Sequence, residues 1–254
     1  MTDKTKKPFN LNMHTARLLM REPFFAALSR RIDKIASTAI PTAGVRVNPD
    51  TAQFELMYNP EFFESLSETH MQGILKHEFY HLIFEHVTSR KPADGLKRID
   101  NIAMDLAINC HIANELPSES DPGPAINGEP MQACIPGEAM FKDLPPYKTY
   151  EWYLEALKKM RDEQNEDGDG EGSGDPFGDM DSLDSHEGFG ESDGTTQEIA
   201  SERLKDAAKK AAEEAEKARN WGTVSSSMRQ DILDRIQTKI DWRKVLRYFV
   251  KTSQ

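Results

Sequence analysis

Residues 77–81 read His-Glu-Phe-Tyr-His, an HExxH pattern inside a long segment with apolar residues at helical spacing. On a helix His77 and His81 lie one turn apart on one face, so both imidazoles can reach a single metal ion. Glu78 lies about 100° round from His77. From there it can reach a water held by that ion without being a ligand. This set suits Zn2+, which makes a water nucleophilic at neutral pH while the glutamate accepts its proton. The competing reading is two surface histidines flanking a glutamate.

Two histidines do not complete a catalytic zinc site, which takes three protein ligands and leaves a fourth position open. His86 is five residues past His81, about 140° away on a continuous helix. Leu82-Ile83-Phe84-Glu85 contains no Gly to end that helix, so His86 is expected at the surface. Glu85 would crowd the ion from the same helix. Asp105 is the better third ligand. It sits in Asn101-Ile-Ala-Met-Asp105-Leu-Ala-Ile-Asn109, where Asn101, Asp105 and Asn109 form an i, i+4, i+8 polar stripe between apolar positions. Such a stripe, if turned to a core, needs partners. Asp105 as ligand, with Asn101 and Asn109 hydrogen-bonding around it, would supply them; otherwise the stripe faces water. Cys110 and His111 point elsewhere on the helix.

The elements that must position these residues follow from periodicity. Residues 10–37 read as helical, with a break at Glu22-Pro23. Gly44–Val47 and Gln53–Tyr58 alternate apolar and polar around Asn48-Pro49-Asp50, which reads as a β-hairpin. A short helix follows over 60–66. The motif helix is expected over 68–88, capped by Ser67 or Thr69, and the Asp105 helix over 97–115. Residues 117–147 are rich in Pro, Gly and Ser and read as loop. Further helices are expected over 150–160, 196–219, 226–240 and 242–251.

The chain has 254 residues and a net charge of −11. Thirteen Asp and Glu, with no Lys or Arg, fall within residues 162–193, so the acidity belongs to one segment and the remainder is close to neutral. No basic cluster points to nucleic acid. Cys110 and Cys134 cannot form a disulfide framework and read as reduced thiols. No apolar stretch is long enough for a signal peptide or a membrane span, which implies a cytoplasmic protein. The acidic, Gly-rich segment reads as a flexible connection. Its second half nevertheless carries Phe177, Met180, Leu183 and Phe189 around Asp184-Ser-His186-Glu. Those apolar residues suggest docking, with residues 176–190 as a lid that brings Asp184 or His186 near the open metal position.

The HExxH helix followed by Asn-x-Ala-x-Asp-Leu-x-Ile-Asn resembles the metallopeptidase domain of bacterial and phage proteins that carry a von Willebrand factor A-like domain and are associated with MoxR-type AAA ATPases. The resemblance covers roughly residues 10–160, and Ile240-Asp-Trp-Arg-Lys-Val-Leu246 is similar to that family's lead-in to its second domain. No such second domain follows in this sequence, so either a shortened form or a piece of a longer chain is expected. The resemblance implies an α+β, mostly helical, zincin-like fold, its small antiparallel sheet from residues 43–58 packed on the HExxH helix. It also implies a peptide or protein substrate and an AAA ATPase or von Willebrand factor A-like partner. The organisation expected is a zincin-like domain over 1–160, the acidic segment over 161–194, and C-terminal helices over 195–254 that pack back on the first domain. In such folds an edge strand beside the metal cleft pairs with extended substrate, and Phe54–Tyr58 is the candidate. The expected activity is zinc-dependent peptide hydrolysis with Glu78 as general base. Tyr58, Tyr80, Tyr147 and His186 are each candidates for the donor that stabilises the developing oxyanion. The alternative is a catalytically silent, metal-holding interaction module.

Overall fold

The computed structural model describes residues 9–90, 92, 96–126, 128–166, 177 and 194–237. Asn10 opens α1 (Leu11–Leu18) by accepting the Asn12 N–H at 3.0 Å. Pro23, with its preset φ and no donor to waste, opens α2 (Pro23–Ser29). The helical expectation then fails, because residues 33–36 form β1 (Asp33–Ala36). This strand pairs in parallel with β3 (Phe54–Tyr58), Lys34 opposite Leu56. A non-local ladder overrides the local helical period here.

The expected hairpin is present. β2 (Ala43–Val47) runs antiparallel to β3, from Ala43 opposite Tyr58 to Val47 opposite Phe54. Its turn is set by Asn48, whose Oδ1 accepts the Asp50 and Thr51 N–H groups at 2.9 and 3.0 Å. The strand order β1-β3-β2 corrects two expectations. The sheet is mixed, not purely antiparallel, and Phe54–Tyr58 is its central strand. Both edges of β3 are bonded, so it cannot take an extended peptide; β2 packs against α4.

α3 (Pro60–Ser65) leads into α4 (Glu68–Ile83), the motif helix. Ser67 caps it, its Oγ accepting the His70 N–H at 3.1 Å. Thirteen of its 16 residues are buried, including Lys76, His77, Glu78 and His81. Gly73 is required at its contact with the loop before Leu116, because a Cβ there would lie 2.1 Å from the Glu115 carbonyl oxygen. The second helix is shorter than expected, α5 (Arg98–Asn109), followed by a 3-10 turn over Ala113–Glu115. The stretch 117–147 is mostly irregular and carries a two-residue hairpin, β4 (Ala125–Ile126) with β5 (Glu129–Pro130). α6 (Tyr150–Glu166), α7 (Gly194–Ala218) and α8 (Ser226–Ile236) complete the described residues.

Two apolar clusters organise these elements. The first joins Phe24, Phe25 and Leu28 of α2, Val45 and Leu56 of the sheet, Ile74, Leu75 and Phe79 of α4, and Ala200, Leu204 and Ala211 of α7. Each fully buried Leu, Ile or Phe contributes roughly 1.5–3 kcal/mol. The second joins Ile102, Met104 and Leu106 of α5 to Tyr153 and Leu157 of α6 and to Phe177. α4 belongs to the first cluster and most of α5 to the second. Their polar residues meet where the two helices touch.

Candidate metal centre

His77 and His81 point from α4 toward Asp105 on α5. The three side chains are 0%, 0% and 1% exposed. His77 Nε2 and His81 Nε2 are 3.1 Å apart, and Asp105 Oδ1 lies 3.6 Å from the first and 3.4 Å from the second. Donor atoms about 2.0–2.1 Å from a tetrahedral zinc lie roughly 3.3–3.4 Å from one another. The triangle therefore has the size of one face of such a site. Among the described residues these three form a group of His, Cys, Asp and Glu side chains able to hold a metal ion. Two imidazoles and a carboxylate are also the right donor chemistry for a divalent metal.

Asn109 fixes the first histidine. Its Nδ2 donates to the Cys134 carbonyl oxygen at 2.9 Å, so its Oδ1 must be the atom 2.7 Å from His77 Nδ1. An amide oxygen only accepts, so His77 carries a proton on Nδ1, and in its neutral form it turns a lone pair at Nε2 toward His81 and Asp105. Asn101 stands one turn before Asp105; its Oδ1 is buried with no hydrogen-bond partner among the described residues. Glu78 is fully buried on the same helical turn as His77.

His86 departs from expectation. It is not at the surface but 0% exposed, with Nδ1 3.1 Å from His81 Nδ1. The cause is local. α4 ends at Ile83, and Glu85 adopts φ +61°, the left-handed region that usually calls for Gly. The Glu85 N–H then returns to Leu82 O at 2.8 Å and the His86 N–H to His81 O at 2.9 Å. This paired closure of a helix end lays the side chain of His86 against that of His81. Glu85 itself accepts from the Ser89 hydroxyl.

The three tyrosines named as oxyanion donors have different surroundings. The Tyr58 hydroxyl accepts the Leu11 N–H at 3.4 Å, and its ring packs on Phe63. Tyr80 packs on Phe25 and Phe84, and burial holds its hydroxyl well above the usual range, so it stays protonated. Tyr147 is 67% exposed beside His111. The pKa of His111 is lowered by burial. Cys110 and Cys134 are not joined in a disulfide. Asp184 and His186 lie outside the described residues, whereas Phe177, from the same segment, is buried in the α5–α6 cluster. Unforeseen from the sequence is Tyr150, whose hydroxyl donates to Asp100 Oδ1 at 2.9 Å and whose ring centroid is 5.9 Å from that of His86.

Residues 6–254 match the family described as "Putative metallopeptidase domain". The chain belongs to this family. An uncharacterized protein of Thermotoga maritima is 26% identical over 213 residues, covering 80% of this chain and 49% of that protein. The chain thus spans about half the length of this relative. No solved structure matches this chain. No helix among the described residues is long and apolar enough to cross a membrane.

Proposed function

We propose that the chain is a zinc-dependent peptidase in which His77, His81 and Asp105 hold the metal and Glu78 is the general base. The observation that carries this reading is the convergence of two imidazole nitrogens and a carboxylate oxygen, from two helices, at separations suited to one tetrahedral ion. When bound there, zinc would polarise the scissile carbonyl and bring the pKa of a water down to about 7. His77 is held in the required tautomer by Asn109. Glu78, next to His77 and turned about 100° from it, would take a proton from the attacking water onto its carboxylate and return it to the leaving amine nitrogen. A purely structural site has no use for a glutamate at that position. The substrate class is a peptide or protein.

The test is metal content and peptide-library cleavage for wild type and Glu78→Gln at equal zinc loading. About one zinc per chain in both proteins, with cleavage in the wild type alone, supports the reading. Equal cleavage by both removes Glu78 from its role. A specific observation favours the second reading, a metal-holding interaction module: His77, Glu78 and His81 are all fully buried, and a base that acts on a peptide must be reachable. Tight zinc without cleavage of any library peptide would select that reading.

A further inference from the structure

We propose that His86 is a positioning residue of the metal centre. It accepts the Nδ1 proton of His81 and so keeps the Nε2 lone pair of His81 turned toward His77 and Asp105. The inference rests on the zinc reading above and adds a residue to which the HExxH pattern gives no role.

A neutral imidazole has one N–H and one lone pair, and a metal takes the lone pair. His81 Nε2 is the nitrogen that faces His77 Nε2 at 3.1 Å and Asp105 Oδ1 at 3.4 Å. Its proton must therefore sit on Nδ1, and the atom 3.1 Å from Nδ1 is His86 Nδ1. Only one of the two possible directions for this bond is compatible with a ligand. If His86 donated, the His81 proton would move to Nε2 and point at His77. If His86 accepts, both ligand histidines carry Nδ1–H, one bound to Asn109 and one to His86, and both offer Nε2. His86 then carries its own proton on Nε2.

The surroundings hold His86 in place for this task. Its ring is fully buried, with centroids 5.7 Å from Phe84 and 5.9 Å from Tyr150. The backbone enforces the same pairing, because the His86 N–H bonds the carbonyl of His81 itself at 2.9 Å. Backbone and side-chain bonds thus tie the same two residues. The five-residue spacing is what the left-handed turn at Glu85 requires.

Partners that orient a metal-bound histidine are worth about 10–100-fold in metal affinity. The experiment is a competitive chelator titration of zinc on wild type, His86→Ala and His86→Asn, whose amide oxygen can stand near the position of Nδ1. His86→Ala is expected to bind zinc 10–100-fold more weakly, and His86→Asn to recover most of the loss. Equal affinity of His86→Ala and wild type overturns the proposal. So does an equal loss in both variants, which would make the effect one of packing. A wild type that binds no zinc fails the peptidase reading, and this inference with it. The wild-type protein supplies a measurement independent of variant folding: 15N histidine spectra of the zinc-loaded protein, and cadmium-113 couplings of the cadmium-loaded protein. The expected pattern is His81 protonated at Nδ1, His86 protonated at Nε2, and cadmium coupled to His77 and His81 only. A proton on His86 Nδ1, or a coupling to His86, overturns the assignment.

Discussion

Two buried polar clusters are built on adjacent residues of α4, and they differ in what they need. Lys76 is 0% exposed. Its ammonium group donates to Glu22 Oε1, Glu115 Oε1 and Thr223 Oγ1, each at 2.7 Å. Three donors meet three acceptors. The remaining carboxylate oxygens are used as well: Glu22 Oε2 accepts the Thr223 N–H at 2.9 Å and Glu115 Oε2 accepts from Gln72 Nε2 at 3.0 Å. This cluster is closed by the protein alone. One residue further on, His77 starts a cluster of the opposite kind, in which two imidazole nitrogens and a carboxylate oxygen aim at one another. A proton can bridge one pair of these atoms, but a cation can serve all three. Burial alone does not distinguish a structural cluster from a metal centre; a dependence of stability on bound metal does.

That contrast can be broken or sharpened by substitution. The largest effect is expected at Lys76. Lys76→Ala strands the buried Glu22 carboxylate and the partly buried Glu115 carboxylate and should cost about 3–5 kcal/mol, by the same amount in zinc and in chelator, as read from urea denaturation. Asp105→Ala should behave differently. With free zinc at 100–1,000 times Kd, the wild type gains roughly 2.7–4.1 kcal/mol, and the variant should lose most of that gain while matching wild type more closely in chelator. An equal loss in zinc and chelator would make the histidine cluster a closed structural one, like that of Lys76. Asn109→Ala should keep the fold and weaken zinc 10–100-fold, about 1.4–2.7 kcal/mol by chelator competition. Unchanged affinity would remove Asn109 as the group that orients His77.

Two smaller effects probe the frame around the clusters. Glu85→Gly relieves a non-Gly residue of φ +61° and should stabilise the protein by up to about 1 kcal/mol, with no change in zinc affinity. A loss of stability would mean that the Glu85 side chain matters more than its backbone. The smallest effect belongs to Glu214 on α7. A hydrogen bond from Arg31, with Arg30 beside it, holds the Glu214 carboxyl below the usual carboxylate range. A depressed acid stabilises the fold above its unfolded pKa, and that contribution is lost as pH falls through the folded value. Glu214→Gln should therefore be slightly less stable than wild type at neutral pH, the difference vanishing in acid. A difference that persists in acid would rule out the ion pairs as its source.

How much of this was legible depended on how local each signal is. The HExxH spacing and the Asn101-Asp105-Asn109 stripe are helical periodicities, set by 3.6 residues per turn. They therefore brought His77, His81 and Asp105 under suspicion before any contact was known. The Glu22-Pro23 break and the Asn48 turn are equally local, fixed by the ring of proline and the reach of an Asn side chain. Three features were decided only by the tertiary structure. β1 exists because β3 offers it a parallel ladder. The Lys76 cluster joins residues 54, 39 and 147 positions apart in sequence, and no period in the sequence encodes such separations. His86 returns to His81 because Glu85 accepts a left-handed backbone that usually belongs to glycine. A local rule reads that position as more helix, whereas the paired backbone hydrogen bonds of the turn and the packing of His86 between Phe84 and Tyr150 offset the strain. The sequence alone settled which side chains share a helical face. The structure decided which faces meet and where the motif helix ends, because those outcomes depend on contacts between segments distant in the chain.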